Sequence, residues 1–533
     1  MAARDPEKAA DAPIAPCLPV NKYPEGVRLG LIIASLAAAV FLCALDETII
    51  ATAIPRITDD FKSINDIGWY GSAYFLTFAS FQLIYGKLFT FYPIKTVFIS
   101  SIAIFEAGSL VCAVAPLSRI FIAGRAIAGL GCAGINAGFI IILAACLPLE
   151  RRPIFVSSYS AMYGVAAVVA PLLGGAFTTH LTWRWCFYIN LPIGAGAMIL
   201  AALCLQTPRA PQSPSQEAPP PAASWTTNLA EMDLLGTSVL ISGMVCLLLA
   251  LEWGGSVYPW SSAPLIGLLV ALGIAAACFV GIQIQKQDKG TVPPRITRQR
   301  SVACSAIYVF CAGGALNVFQ YFLPIWFQAI RGMTPFASGT RILPTTLGTV
   351  VFSFVAGIGV AATGYYTPFM ILGGALLAGG AAAVAATWRP STSDVTLVCY
   401  QIVFGAGAGI GVQQAHTAAQ TVLADGDVPT GVVVLIFAQI LGGTVWLSVG
   451  QNVMVGSLVA GLARLPQLDL DARQIVNMGA TGFREAVAPE LRDAAVLVYS
   501  DALMRTFFCA AGLGGVAFCA SLGMEWRSIR VKR

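Results

Sequence analysis

The chain has 533 residues, of which 57% are hydrophobic and only 11% charged, against roughly 25% charged in an ordinary soluble domain. That balance excludes a single water-soluble globular unit and makes lipid the main solvent. The formal net charge of +5 is modest and points to no nucleic-acid partner.

In chain order, residues 1–28 are polar and Pro-containing. They read as a disordered cytoplasmic tail without a removable signal peptide. Fourteen apolar stretches of spanning length follow, beginning near Leu29, Ile67, Thr96, Ile120, Ile154, Asn190, Leu235, Pro264, Val302, Leu343, Thr367, Val395, Val428 and Met504. Each supplies the about 20 residues that a helix rising ~1.5 Å per residue needs to cross the hydrocarbon. The expected fold is an all-α polytopic membrane protein whose spans divide as six, two and six. A first six-helix bundle covers 29–206, a Pro-, Ala- and Ser-rich cytoplasmic linker 207–234, and two additional helices 235–283. A basic cytoplasmic loop, 284–301, leads to a second six-helix bundle, 302–524. That bundle carries an extracellular loop over 464–500, in which Phe483 to Val498 has the spacing of a short surface helix. The basic tail 525–533 closes the chain.

With this topology the inner segments collect 18 Lys and Arg against 12 outside. Both termini are therefore expected in the cytoplasm. Most of the fourteen cysteines fall inside apolar runs and read as buried thiols rather than a disulfide framework. Many of the 53 glycines also lie inside spans, where small residues let helices approach closely.

Two early spans carry a charge, Asp46 in the first and Arg125 in the fourth. Such groups are costly in lipid and usually face protein or a water-filled path. Counting from the outer edge puts Asp46 ~12 Å deep and Arg125 ~8 Å deep, at comparable levels. The pair reads as a proton switch, the arginine lowering the carboxylate pKa when close and releasing it when apart. The competing reading is a static ion pair that only fixes helix packing. Glu106 in the third span is a second protonatable candidate, or a polar packing contact. Glu47 projects about 100° away from Asp46 around the helix and ranks below it. In the fifth span Gly164, Pro171, Gly174 and Gly175 imply a bend or gate.

The second half is nearly uncharged but rich in amides. Gln320, Gln328, Gln401, Gln413, His416 and Gln439 are the candidate cavity residues, suited to uncharged or amphipathic organic molecules. Each could equally serve as an interhelical hydrogen bond. No phosphate-binding loop, metal spacing, nucleophile elbow or dinucleotide fingerprint appears in a plausible context. The chain is not expected to be an enzyme, to use ATP directly, or to hold a cofactor or metal.

Several of these segments together resemble the fourteen-span drug:proton antiporter branch of the major facilitator superfamily, and within it the fungal toxin and multidrug efflux pumps. The resemblance covers about Gly30 to Met524. It rests on Leu45-Asp46-Glu47-Thr48-Ile49-Ile50-Ala51-Thr52-Ala53-Ile54-Pro55 in the first span and Arg125-Ala126-Ile127-Ala128-Gly129-Leu130-Gly131 in the fourth. It also rests on Gly164 through Ala170-Pro171-Leu172-Leu173-Gly174-Gly175 in the fifth. Thr182-Trp183-Arg184-Trp185 through Asn190-Leu191-Pro192 and Leu323-Pro324-Ile325-Trp326-Phe327-Gln328 are similar to fungal members. The family's G-x-x-x-D-R-x-G-R-K loop, by contrast, retains only its first glycine, Gly86, and its last lysine, Lys95. The tenth-span acid of some bacterial relatives has no counterpart.

What the resemblance implies is a monomeric exporter of small organic compounds in the plasma membrane or an internal one. It would be driven by the proton gradient through Asp46 and Arg125 and would work by alternating access. An uptake permease or facilitator of the same fold, and a transport-dead membrane sensor, are the alternatives.

Overall fold

The computed structural model describes residues 23–62, 66–205, 233–254, 258–464 and 489–530. Among them the chain is helical, with two isolated β-bridges and no strand. The first half holds α1 (Gly26–Phe61), α2 (Ile67–Phe91), α3 (Ile94–Val114), α4 (Ser118–Cys146), α5 (Arg152–His180), the single turn α6 (Trp185–Tyr188) and α7 (Asn190–Cys204). The inserted pair is α8 (Leu234–Trp253) and α9 (Ala263–Lys286), followed by a short 3-10 turn and α10 (Pro294–Thr297). The second half holds α11 (Arg300–Ala329), the short α12 (Pro335–Thr340), α13 (Leu343–Thr363), α14 (Thr367–Thr387), α15 (Asp394–Val422), α16 (Val428–Leu462) and α17 (Pro489–Leu522).

With α6 and α7 taken as one crossing, the described residues make fourteen helical passes, and thirteen of these are long and apolar enough to span a membrane. The remaining one, α2, has ample length at 25 residues, but Gly, Ser, Tyr and Gln dilute its apolar character. The interspan linker expected over 207–234 lies almost wholly outside the described residues, as does most of the loop expected over 464–500. The described end of that loop corrects the expectation. Residues from Pro489 onward are not a separate surface helix but the first turns of α17, which runs unbroken to Leu522.

The two halves repeat one packing scheme. In each, the first helix lies along the fifth, the fourth is packed by both the second and the third, and the sixth lies along the first and third. That gives α1 with α5 and α11 with α16, and α4 between α2 and α3 as α15 is between α13 and α14. Missing side chains make the close approach possible. A Cβ on Gly131 of α4 would collide with the backbone of Phe105 in α3, and one on Gly407 of α15 with the backbone of Leu377 in α14. The halves meet reciprocally, α5 against α13 and α2 against α16. The inserted pair packs on itself and touches the rest mainly through α8 against α2. Only 6% of α9's spanning window is buried, so it is a peripheral, lipid-suited helix.

Candidate functional site

Asp46 and Arg125 meet. The guanidinium Nη1 donates to Asp46 Oδ2 at 2.5 Å, and both side chains are buried, at 0% and 1% exposure. Arg125 Nε also donates to the Tyr70 carbonyl at 2.9 Å, and its Cζ lies 4.5 Å from the Tyr74 ring centroid. The second carboxylate oxygen of Asp46 accepts a stretched 3.3 Å hydrogen bond from Asn190, which also donates to Ser109 at 3.2 Å. Five helices thus converge on one desolvated ion pair: α1, α2, α3, α4 and α7. A buried pair of this kind persists only while its geometry is good, because either partner alone would be strongly destabilising. In the sequence Asn190 stands only at the start of a span and within a motif fragment. An amide at the start of an apolar run was the available signal.

Glu106 is buried in α3 one turn from Ser109, against Gly194 of α7. Neither of its carboxyl oxygens has a hydrogen-bond partner among the described residues. It does not line the cavity.

A cavity of about 2090 Å³ lies between the halves. Its wall includes Glu47, Tyr159 and Tyr163 on one side and Gln320, Gln413, His416 and Gln439 on the other. Gly339 and Ala463, at helix ends remote from the chain termini, also line it, so it reaches that face of the bundle. Toward the face that holds the termini the halves are in contact. Ser157 donates to the Ser353 carbonyl at 2.7 Å, Gln413 to Ser160 at 3.0 Å and Arg152 to Gln420 at 3.4 Å. Gly86 sits against Val433 and Thr430 of the opposite half, and Gly164 against Val350. The molecule is therefore closed at the terminal face and open at the other.

The remaining candidates separate by position. Pro171 lines the cavity within an unbroken α5. Gly174 faces Thr52 and Ile49 of α1, whereas Gly175 faces open space. Gln328 and Gln401 lie outside the cavity wall. Gln328 donates to Ser338 across α11 and α12, and Gln401 accepts from Thr345 across α15 and α13. Each makes an interhelical hydrogen bond away from the cavity.

Residues 36–447 match the model of the Major Facilitator Superfamily. An MFS-type efflux pump of Arthroderma benhamiae is 44% identical over 508 residues, covering 95% of this chain and 93% of that protein. An MFS-type transporter of Byssochlamys spectabilis is 44% identical, covering 97% and 91%. An efflux pump of Aspergillus parasiticus is 41% identical, covering 96% and 98%. Among solved structures, a proton:xylose symporter bound to 6-bromo-6-deoxy-D-glucose superposes with a TM-score of 0.59 at 12% identity, covering 92% of this chain and 94% of that one. The human organic anion transporter MFSD10 gives 0.59 at 12% identity, covering 93% and 100%, and at that identity both speak to the fold alone. Two six-helix halves around a central cavity, a family model spanning most of the chain and relatives matched over nearly their full length lead to one assignment: the chain belongs to the Major Facilitator Superfamily.

Proposed function

We propose that this protein exports small organic compounds and exchanges them for protons by alternating access, with both termini in the cytoplasm. The observation that carries this reading is the Asp46–Arg125 pair, buried in the first half beside a cavity closed at the terminal face. Loading Asp46 with a proton removes the charge that offsets the buried guanidinium, so protonation and helix arrangement are linked through one contact. The excess of Lys and Arg at the terminal face supports the orientation. The efflux names of relatives such as those from Arthroderma benhamiae and Aspergillus parasiticus support export. Glu106 is a second buried carboxyl in the same half, one turn from Ser109 in α3. No resident cofactor is needed, because the gradient supplies the energy, and a monomer in the plasma membrane suffices.

The test uses inside-out vesicles with an imposed pH gradient. The parent chain accumulates cargo when the gradient is present, and Asp46→Asn does not. Equal gradient-driven accumulation in both would remove Asp46 from the mechanism, and accumulation by right-side-out vesicles alone would reverse the direction to uptake.

A further inference from the structure

Polar chemistry is divided unevenly around the cavity. The second half contributes amides, among them Asn317, Gln320, Gln413 and Gln439. The first half contributes Glu47, and the described lining holds no second carboxylate, no lysine and no arginine. Glu47 follows Asp46 in α1 and so points about 100° further round the helix. Asp46 turns into the protein to meet Arg125, while Glu47 turns into the space between the halves. Tyr163 shares the same wall as Glu47. The Tyr163 ring in turn stacks on Tyr159 with centroids 5.0 Å apart, and Phe75 and Phe78 line the wall beside them.

A carboxylate set among aromatic faces receives a cation or an N–H donor on a ring-bearing molecule, since both the charge and the ring quadrupoles attract it. An anion entering the same space finds no compensating cation. Arg125 is spent on Asp46 and the Tyr70 carbonyl behind the wall. Rejection through an unpaired like charge is an effective route to specificity. We propose that Glu47 sets the charge preference of the cavity, anchoring aromatic cargo that presents a cationic or N–H group and turning anions away. The inference rests on the cavity being the cargo site, and it does not require proton coupling.

The experiment is binding to the purified full chain in detergent, followed by fluorescence anisotropy with three ring-bearing probes: cationic rhodamine 6G, neutral Nile red and anionic fluorescein. In the parent, rhodamine 6G should bind at least about tenfold more tightly than fluorescein. In Glu47→Gln that ratio should fall to about one while Nile red binding stays unchanged, which also reports a folded cavity. Glu47→Asp keeps a carboxylate at this position and should keep the parent's preference for the cation. A parent without preference for the cation, or the same preference in Glu47→Gln, overturns the proposal. If Glu47→Gln fails to bind Nile red, the decision passes to Glu47→Ala, where a ratio unchanged from the parent overturns it. The two readings fail separately. Charge-selective binding without gradient-driven transport defeats antiport and leaves Glu47 in place, whereas gradient-driven transport with a charge preference indifferent to Glu47 does the reverse.

Discussion

Asp46 and Asp233 are both buried aspartates paired with one cation, yet they are held in opposite ways. Asp233 caps the first turn of α8 and accepts from Gly236 N at 3.0 Å, Gln283 Nε2 at 2.8 Å, Thr291 N at 3.0 Å and Thr291 Oγ1 at 2.9 Å. Lys286 adds an ion pair at 2.8 Å. A carboxylate offers about four lone-pair sites, so this one is saturated, and losing any single donor leaves it satisfied. Asp46 has one strong partner, Arg125, and one stretched contact from Asn190. Move Arg125 away and the carboxylate keeps almost nothing. A saturated acid locks a structure, and a sparsely held one can change state, which is the property a coupling residue needs.

The largest effect that would break this contrast is on transport. Asp46→Asn should reduce gradient-driven accumulation in vesicles to the level of passive leak, while Asp233→Asn should leave transport per folded molecule within about twofold. Comparable losses in both would make Asp46 one more structural acid. Stability comes next. Arg125→Met strands a buried carboxylate and should cost about 3–5 kcal/mol, read as a lowered midpoint in thermal unfolding of the solubilised protein. The double variant Asp46→Leu/Arg125→Met should recover most of that stability and none of the coupling, which separates packing from proton handling.

Acid sharpens the same comparison at smaller amplitude. Burial pushes the Asp233 carboxyl up, but the donors from Lys286, Gln283, Gly236 and Thr291 outweigh it and bring its pKa down to about 2 from an ordinary 3.8. A group whose folded pKa is depressed contributes its full stabilisation above the unfolded value and loses it as pH falls through the folded one. The Asp233 contribution should therefore be constant above about pH 4 and fade between about 4 and 2. The difference in unfolding midpoint between the parent and Asp233→Asn, followed against pH, should be flat above that window and shrink within it. Any transport transition at higher pH then belongs to other groups.

The architecture was legible because lipid leaves little choice: apolar runs of sufficient length, counted, gave the six, two and six division. The matching depth of Asp46 and Arg125 was legible for the same reason, since charges in an oily solvent are conspicuous, but that α1 and α4 bring them into contact came only from the structure. What each residue faces was not legible. Glu47 was placed 100° from Asp46, but sequence supplies the angle and not the origin, so nothing told which of the two acids met the cavity. Gln328 and Gln401 look like Gln320 and Gln439 in an apolar run, because an amide bonding a neighbouring helix away from the cavity and one lining a void have the same local sequence. The start of α17 was hidden because Glu490, Arg492, Asp493 and Asp501 break the apolar pattern that marks a span. Asp233 carried a readable signal, an aspartate just ahead of an apolar run, which is a helix N-cap pattern.

The smallest effect concerns the segment that Asp233 orders. Thr291, one of its donors, lies in the connection between α9 and α11, and the same connection carries Arg295. That guanidinium grips Asp427 through two hydrogen bonds, at 2.7 and 2.9 Å, at the start of α16, and also reaches Asp288 at 3.1 Å. On the other side, Lys87 at the end of α2 reaches the Asp288 and Lys289 carbonyls at 3.4 Å. The connection thus touches both halves at the closed face, where the family's loop pattern is mostly absent from this chain. Arg295 is 59% exposed, and exposed pairs are worth about 0.2–1 kcal/mol, so Arg295→Ala should barely move the unfolding midpoint. Population balance is more sensitive than stability here, because a fraction of a kcal/mol still shifts a two-state equilibrium severalfold when the states are nearly matched. Spin labels placed on Arg151 and Thr363, exposed residues at the terminal face in the first and second half, should show a larger separated fraction in Arg295→Ala than in the parent. The gap between the two should narrow as added salt screens the parent's pair.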